Sequence, residues 1–215
     1  MWQAVGVAGL VLCLGGCASM GDERAQAYTQ DGMHLFQAGS YAAARDSFQA
    51  AVALKPEDAA LLYNLGQCHH RLGDTAQAER VYQECLRRAP GHAPCHHALA
   101  ELLVQQGRRP EATQLIAGWM AREPKRAAAY AEDGWVWHQA GDLPRAQARL
   151  QQALELDPHE PRALTELALL YEGMHRPDRA IVLYERSLET DPHQPEVAER
   201  LASLRASGAG RPRPE

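Results

Sequence analysis

Aromatic side chains are scarce. Phe, Trp and Tyr together make 6% of the 215 residues, and Phe occurs twice. Strands favour aromatic and β-branched residues, whereas this chain is rich in Ala, Leu, Gln, Glu and Arg, which favour helix; the composition predicts an all-α protein. Positive charge is not in excess. Lys and Arg total 22 against 27 Asp and Glu, a formal net charge of −5, so the basic face of a nucleic-acid binder is missing and no nucleic-acid partner is predicted. There is no apolar run of the roughly 20 residues that a membrane-spanning helix needs. CxxC, HExxH, a Gly-rich phosphate loop, a nucleophile–base pattern and paired carboxylates are all missing. The chain is therefore read as non-enzymatic, with no catalytic residue, no cofactor and no metal site.

The uncharged stretch from Ala4 to Cys17, AVGVAGLVLCLGGC, is short for a span but suits the apolar region of a secretory leader. It ends in Leu14-Gly15-Gly16-Cys17, a branched apolar residue and two small ones before Cys, which resembles the bacterial lipobox. The hexapeptide at the start of the chain, MWQAVG, carries no Lys or Arg. The resemblance implies a signal peptide over 1–16, cleavage before Cys17, and lipidation of Cys17 followed by a tether over 17–24. Each buried methylene contributes about 0.8 kcal/mol and one acyl chain binds only marginally, so two or three chains give a stable membrane anchor. Ala18 stands where lipoproteins retained in the inner membrane often carry Asp. The family rule then favours an outer-membrane location facing the periplasm.

The remainder is periodic. Pro56, Pro90, Pro124, Pro158 and Pro192 recur every 34 residues. Ala44, Ala78, Ala112, Ala146 and Ala180 keep that interval, as do Phe48, Tyr82, Ile116, Leu150 and Tyr184. A 34-residue period with small and large apolar residues at set offsets resembles the tetratricopeptide repeat, over Ala25 to Gln194. The resemblance implies a right-handed solenoid of five helix-turn-helix repeats (25–58, 59–92, 93–126, 127–160 and 161–194). A capping helix over 195–207, with Val197, Leu201 and Leu204 on one face, and a disordered tail over 208–215 would follow. Each Pro stops a second helix, since it has no N–H to donate. Gly32, Gly66 and Gly134 allow close helix approach. Gly39, Gly73, Gly107 and Gly141 form turns that need positive φ, while His175 stands at that offset in the fifth repeat, where a distorted turn is predicted. Trp119 replaces a small residue beside Gly118, and compensated packing around its ring is predicted, with the space at Gly118 as one source of room.

The resemblance further implies a groove lined by the first helix of each repeat, in which Met33, Phe36, Tyr63, Gln67, His70, Arg71, His97, Glu101, Trp135, His138, Arg162 and Leu169 would meet a protein or peptide partner. Apolar anchors mixed with Arg, His and Gln suit such a ligand. A subclass of the family clamps a C-terminal carboxylate, but only Asn64 matches its pattern, so recognition of that kind is not predicted. His92, Cys95, His96 and His97 follow Cys68, His69 and His70 by one repeat. His96 is read as a core aromatic substitute, and a His70–His97 metal pair as the rival. Cys85 is read as a small core residue. Cys68 and Cys95 are a conceivable disulfide pair in an oxidising compartment. The remaining Asp and Glu are read as mostly solvated. The chain is thus read as a membrane-anchored interaction scaffold resembling lipoproteins of pilus, secretin, outer-membrane or polysaccharide assembly. A His-rich metal-handling or enzyme-associated module and a cytoplasmic adaptor are the alternatives.

Overall fold

The computed structural model describes residues 14–207, with side chains from Met20 onward. The first thirteen residues of the leader and the 208–215 tail lie outside the described residues. Every regular element among those described is a helix. The chain forms two compact units, Met1–Pro90 and Gly91–Glu215. The first holds α1 (Leu14–Gln37), α2 (Tyr41–Leu54), α3 (Ala59–Arg71) and α4 (Thr75–Arg88). The second holds α5 (Ala93–Gln105), α6 (Arg109–Arg122), α7 (Ala127–Gln139), α8 (Leu143–Leu156), α9 (Pro161–Gly173), α10 (Pro177–Thr190) and α11 (Pro195–Ala206). The helices are paired in antiparallel hairpins, α1 with α2 through α9 with α10, and α11 packs on α10. Helix α1 is continuous through residues 17–24, so the backbone read as a tether is helical. No helix among the described residues is long and apolar enough to cross a membrane.

The periodic Pro acts through the residue before it. Lys55, Ala89, Glu123, Asp157 and Asp191 each end a 14-residue helix with φ between −129° and −143° and ψ between 70° and 104°. That is the extended region to which a following Pro ring drives its neighbour. The turns inside the hairpins are equally uniform. Gly39, Gly73, Gly107 and Gly141 have φ of 76° to 78°, where only Gly avoids a clash at Cβ. The fifth hairpin departs from the expected distortion. His175 itself takes φ 55°, and the backbone bonds His175 N–H to Glu172 O (3.0 Å) and Arg176 N–H to Tyr171 O (2.9 Å) reproduce those at Gly141 and Asp142. The turn keeps its shape and the side chain bears the strain. His175→Gly is expected to raise stability by about 1 kcal/mol, the order of the left-handed penalty, read as a higher midpoint in urea at unchanged slope.

The hairpins close around small residues. The five periodic Ala side chains are fully buried. A Cβ on Gly32 would come within 2.9 Å of the Phe48 ring and one on Gly134 within 2.6 Å of Leu150, while one on Gly66 would run into the Tyr82 ring. The core of the first unit gathers Ala44, Phe48, Ala51, Leu61, Leu65 and Cys68. In the second, Leu150, Leu164, Leu170 and Tyr184 extend a continuous core to Val197 and Leu201 of α11, with Leu204 partly buried against it. The face that the fifth hairpin would otherwise leave wet is thereby covered.

Trp119 is fully buried. Space beside Gly118 is not what admits it, because a Cβ there would meet only the Arg122 guanidinium, 3.9 Å away. The indole instead stacks on the imidazole of His96, with centroids 4.1 Å apart and planes 3° from parallel, and its Nε1–H donates to Glu123 Oε1 (3.2 Å). His96 fills an aromatic core position as the sequence implies.

The cysteines differ from expectation. Cys68 is a free, fully buried thiol. It belongs to the core of its own unit, where burial pushes its pKa up to about 11. It forms no pair with Cys95. Cys95 and Cys85 are each disulfide-bonded, so Cys85 is more than a small apolar filler.

Candidate functional site on the first-helix faces

In the first unit, helices α1 and α3 enclose a pocket of about 330 Å³ lined by Met33, Phe36, Gln37, Tyr63, Asn64, Gln67 and Arg71, with the Phe48 ring as its floor. The polar residues on α3 follow a simple rule. Positions 64, 67 and 71 are three and four apart, and residues so spaced share one face of a helix. The lining is apolar at its base, amide-rich at its sides, and carries a single charged group, Arg71, which is exposed. Met33, at 49% exposure, stands out in water at the mouth.

In the second unit, α5, α7 and α9 bring together a charged cluster. Glu132 is 2% and Glu166 6% exposed. The imidazole of His97 lies 3.0 Å from Glu132 Oε2. Arg162 sets Nε 2.5 Å from Glu132 Oε1 and Nη2 3.6 Å from Glu166 Oε1. Neither guanidinium nitrogen is aligned as a hydrogen-bond donor, so the contacts hold by charge rather than direction. The guanidinium also lies over the Trp135 ring, 5.6 Å from its centroid, a cation–π arrangement. The Trp135 ring meets His97 edge-on at 5.1 Å. His138 Nδ1 is 3.5 Å from Glu166 Oε2. Beside the cluster, Arg149 Nε pairs with Asp133 Oδ2 at 2.8 Å. Burial pushes the Asp133 carboxyl above its usual range, against the opposing pull of Arg149. Burial likewise raises Glu160.

The structure thus places Met33, Phe36, Tyr63, Gln67 and Arg71 on one pocket. It places His97, Trp135, His138 and Arg162 in one cluster. His70 lies on α3, Glu101 on α5 and Leu169 on α9, all half-buried. His70 and His97 fall in different units. Sequence reasoning missed Glu132, Asp133 and Glu166, whose burial corrects the expectation of solvated carboxylates. A signal was present: Glu132 and Glu166 are 34 residues apart at one repeat offset, and His97 and Arg162 occupy groove offsets that meet them.

Paired helices of fixed length, turned by positive-φ residues and broken at periodic Pro, define a helical-repeat scaffold for protein interaction. The chain belongs to the tetratricopeptide-repeat family, whose models match residues 30–93, 70–132 and 138–206. Among solved structures, the chain is similar to TTC0263, a thermophilic repeat protein of the same kind from Thermus thermophilus. The identity is 27% and the TM-score 0.65, over 85% of this chain and 99% of that one. PilF of Pseudomonas aeruginosa shares the fold at 20% identity and a TM-score of 0.57, over 88% of each chain. Among curated proteins, a stretch of 101 residues is 37% identical to cellulose synthase operon protein C of Komagataeibacter xylinus, covering 46% of this chain and 8% of that protein. A stretch of 91 residues is 32% identical to the human protein O-mannosyl-transferase TMTC2, covering 41% and 11% respectively. The chain spans about a tenth of the length of these curated relatives.

Proposed function

We propose that this chain is a non-enzymatic scaffold of the bacterial envelope, anchored by lipid on Cys17 at the periplasmic side of the outer membrane, that holds a peptide or partner protein on its first-helix faces during envelope assembly. The observation that carries the reading is the α1–α3 pocket, in which apolar and polar side chains share one lining. Export is supported by the Leu14-Gly15-Gly16-Cys17 pattern. A role in envelope polysaccharide assembly draws on the likeness to a cellulose synthase operon protein. Tethering raises the effective concentration of scaffold and partner at the membrane.

Two measurements test this. Mass spectrometry of the mature protein should find Cys17 as the first residue, carrying acyl chains; an intact Met1 with an unmodified Cys17 would defeat the lipoprotein reading. A photocrosslinker at Met33 in living cells should capture one envelope protein specifically. Yields no better than from Val182, an exposed apolar position on α10, would defeat the binding-face reading.

A further inference from the structure

In the first unit, the segment expected to be a tether is the start of a long helix. Helix α1 runs without a break from Leu14 to Gln37, and Ala25, 1% exposed, is its first buried side chain among the described residues. From Cys17 to Ala25 the helix rises about 12 Å. The same stretch as extended backbone would reach about 28 Å. The helical segment is also tied sideways: Asp22 Oδ1 lies 2.9 Å from Nζ of Lys55, the residue that ends α2. An exposed pair of this kind adds little stability, but it sets the segment alongside the first hairpin.

The end of the unit beside this segment has two further features. Its charges are matched. Lys55 meets Asp22, Arg88 meets Glu57 and Glu84, and Arg87 meets Glu84. The Asp58 carboxylate accepts from the N–H groups of Ala60 and Leu61 at the start of α3. Such an end neither attracts nor repels an anionic lipid surface strongly. Its apolar element is Met20, 62% exposed and three residues beyond Cys17. A large apolar side chain standing in water is stabilised by transfer to an apolar interface.

We infer that residues 17–24 form a rigid stalk that seats this end of the first unit on the lipid headgroups. The seated surface comprises the N-terminal ends of α1 and α3 and the C-terminal ends of α2 and α4. Met20 dips among the headgroups, and the turns at Gly39 and Gly73 point away from the bilayer. The inference rests on the reading that Cys17 carries lipid. Its direction follows from α1 itself. The acyl chains hold the N-terminal end of that helix, and so short a helix leaves the base no room to lift away. The consequence is a fixed working height. A partner of the first unit is met at a set distance from the membrane, whereas a domain on a flexible leash sweeps a deep shell.

The test uses the full lipid-modified chain reconstituted in phosphatidylcholine vesicles, with and without phosphatidylglycerol, that carry an acceptor dye on some headgroups. A donor dye is placed on Ala53→Cys, an exposed position near the end of α2, or on Ala38→Cys, exposed beside the turn at Gly39. Cys68 is fully buried and Cys85 and Cys95 are disulfide-bonded, so the dye goes to the introduced thiol. About 18 Å of helix separates the two positions along the hairpin, and energy transfer is expected to be clearly stronger from Ala53→Cys in both lipid mixtures. Inserting a Gly/Ser linker as long as the stalk after Ser19 should lower transfer from position 53 and bring the two values together, because such a linker is a flexible coil. Equal transfer from the two positions in the parent, indifference to the insertion, or transfer from position 53 that depends on phosphatidylglycerol would overturn the inference. Protein that still floats with the vesicles would then leave the lipid anchor standing. Protein that does not float with them would defeat the lipoprotein reading and the stalk with it.

Discussion

Replacing Trp119 by Ala is expected to lower the stability of the second unit by about 3–5 kcal/mol, the range for removing a large buried aromatic ring. Trp119 is among the largest fully buried side chains, and it supports the His96 imidazole by stacking. The loss therefore has two parts: the transfer and cavity cost of the indole, and exposure of the imidazole to an unfilled space. A double-mutant cycle separates them. His96→Ala in the Trp119→Ala background should cost less than His96→Ala alone, with a coupling of about 1 kcal/mol, the order seen for aromatic pairs. Urea denaturation followed by circular dichroism provides the measurement. Additive losses would show that the stack contributes nothing beyond burial.

Arg162→Ala is expected to cost about 3 kcal/mol. Removing one member of a buried ion pair leaves its partner's charge uncompensated, and this costs far more than the intact pair contributes. Glu132 is the partner at risk: its side chain is 3% exposed, and without Arg162 it keeps the imidazole of His97 as its ion-pair partner among the described residues. Adding Glu132→Gln to Arg162→Ala removes the stranded charge and should recover about half of the loss. The same denaturation experiment checks this. A double variant less stable than Arg162→Ala would place the cost in lost packing over Trp135 instead.

Much of the fold was legible because repetition makes weak signals add. A single Pro or Ala is ambiguous, but five at one interval identify the break between hairpins and the close helix contact within them. The positions that reach the first-helix faces were legible for the same reason, as Tyr63 and Arg71 in one pocket and His97 and Arg162 in one cluster illustrate. What stayed hidden depends on partners that the period does not name. Glu132 looks like a solvated charge, because its burial depends on the countercharge that Arg162 brings from the next hairpin, and Glu166 shares that guanidinium one turn along α9. His175 looks like a broken turn, because the backbone bonds that hold it at positive φ come from Tyr171 and Glu172 and leave no mark on its own identity. Trp119 looks oversized until His96 is known to lie flat against it. The pairing state of Cys68, Cys85 and Cys95 depends on which faces turn inward, and spacing alone leaves that open.

The equal helix lengths have an evolutionary consequence. Helices α7 and α9 are each 13 residues and α8 and α10 each 14, so any cut made at one phase of the repeat meets the same backbone geometry at the next. Unequal crossing-over between such points duplicates or deletes a whole hairpin in frame, and every interface on either side finds a counterpart of its own shape. The length of this scaffold is thus open to change by recombination in whole-hairpin steps, while a slip of a single residue would misalign every Gly and Ala beyond it.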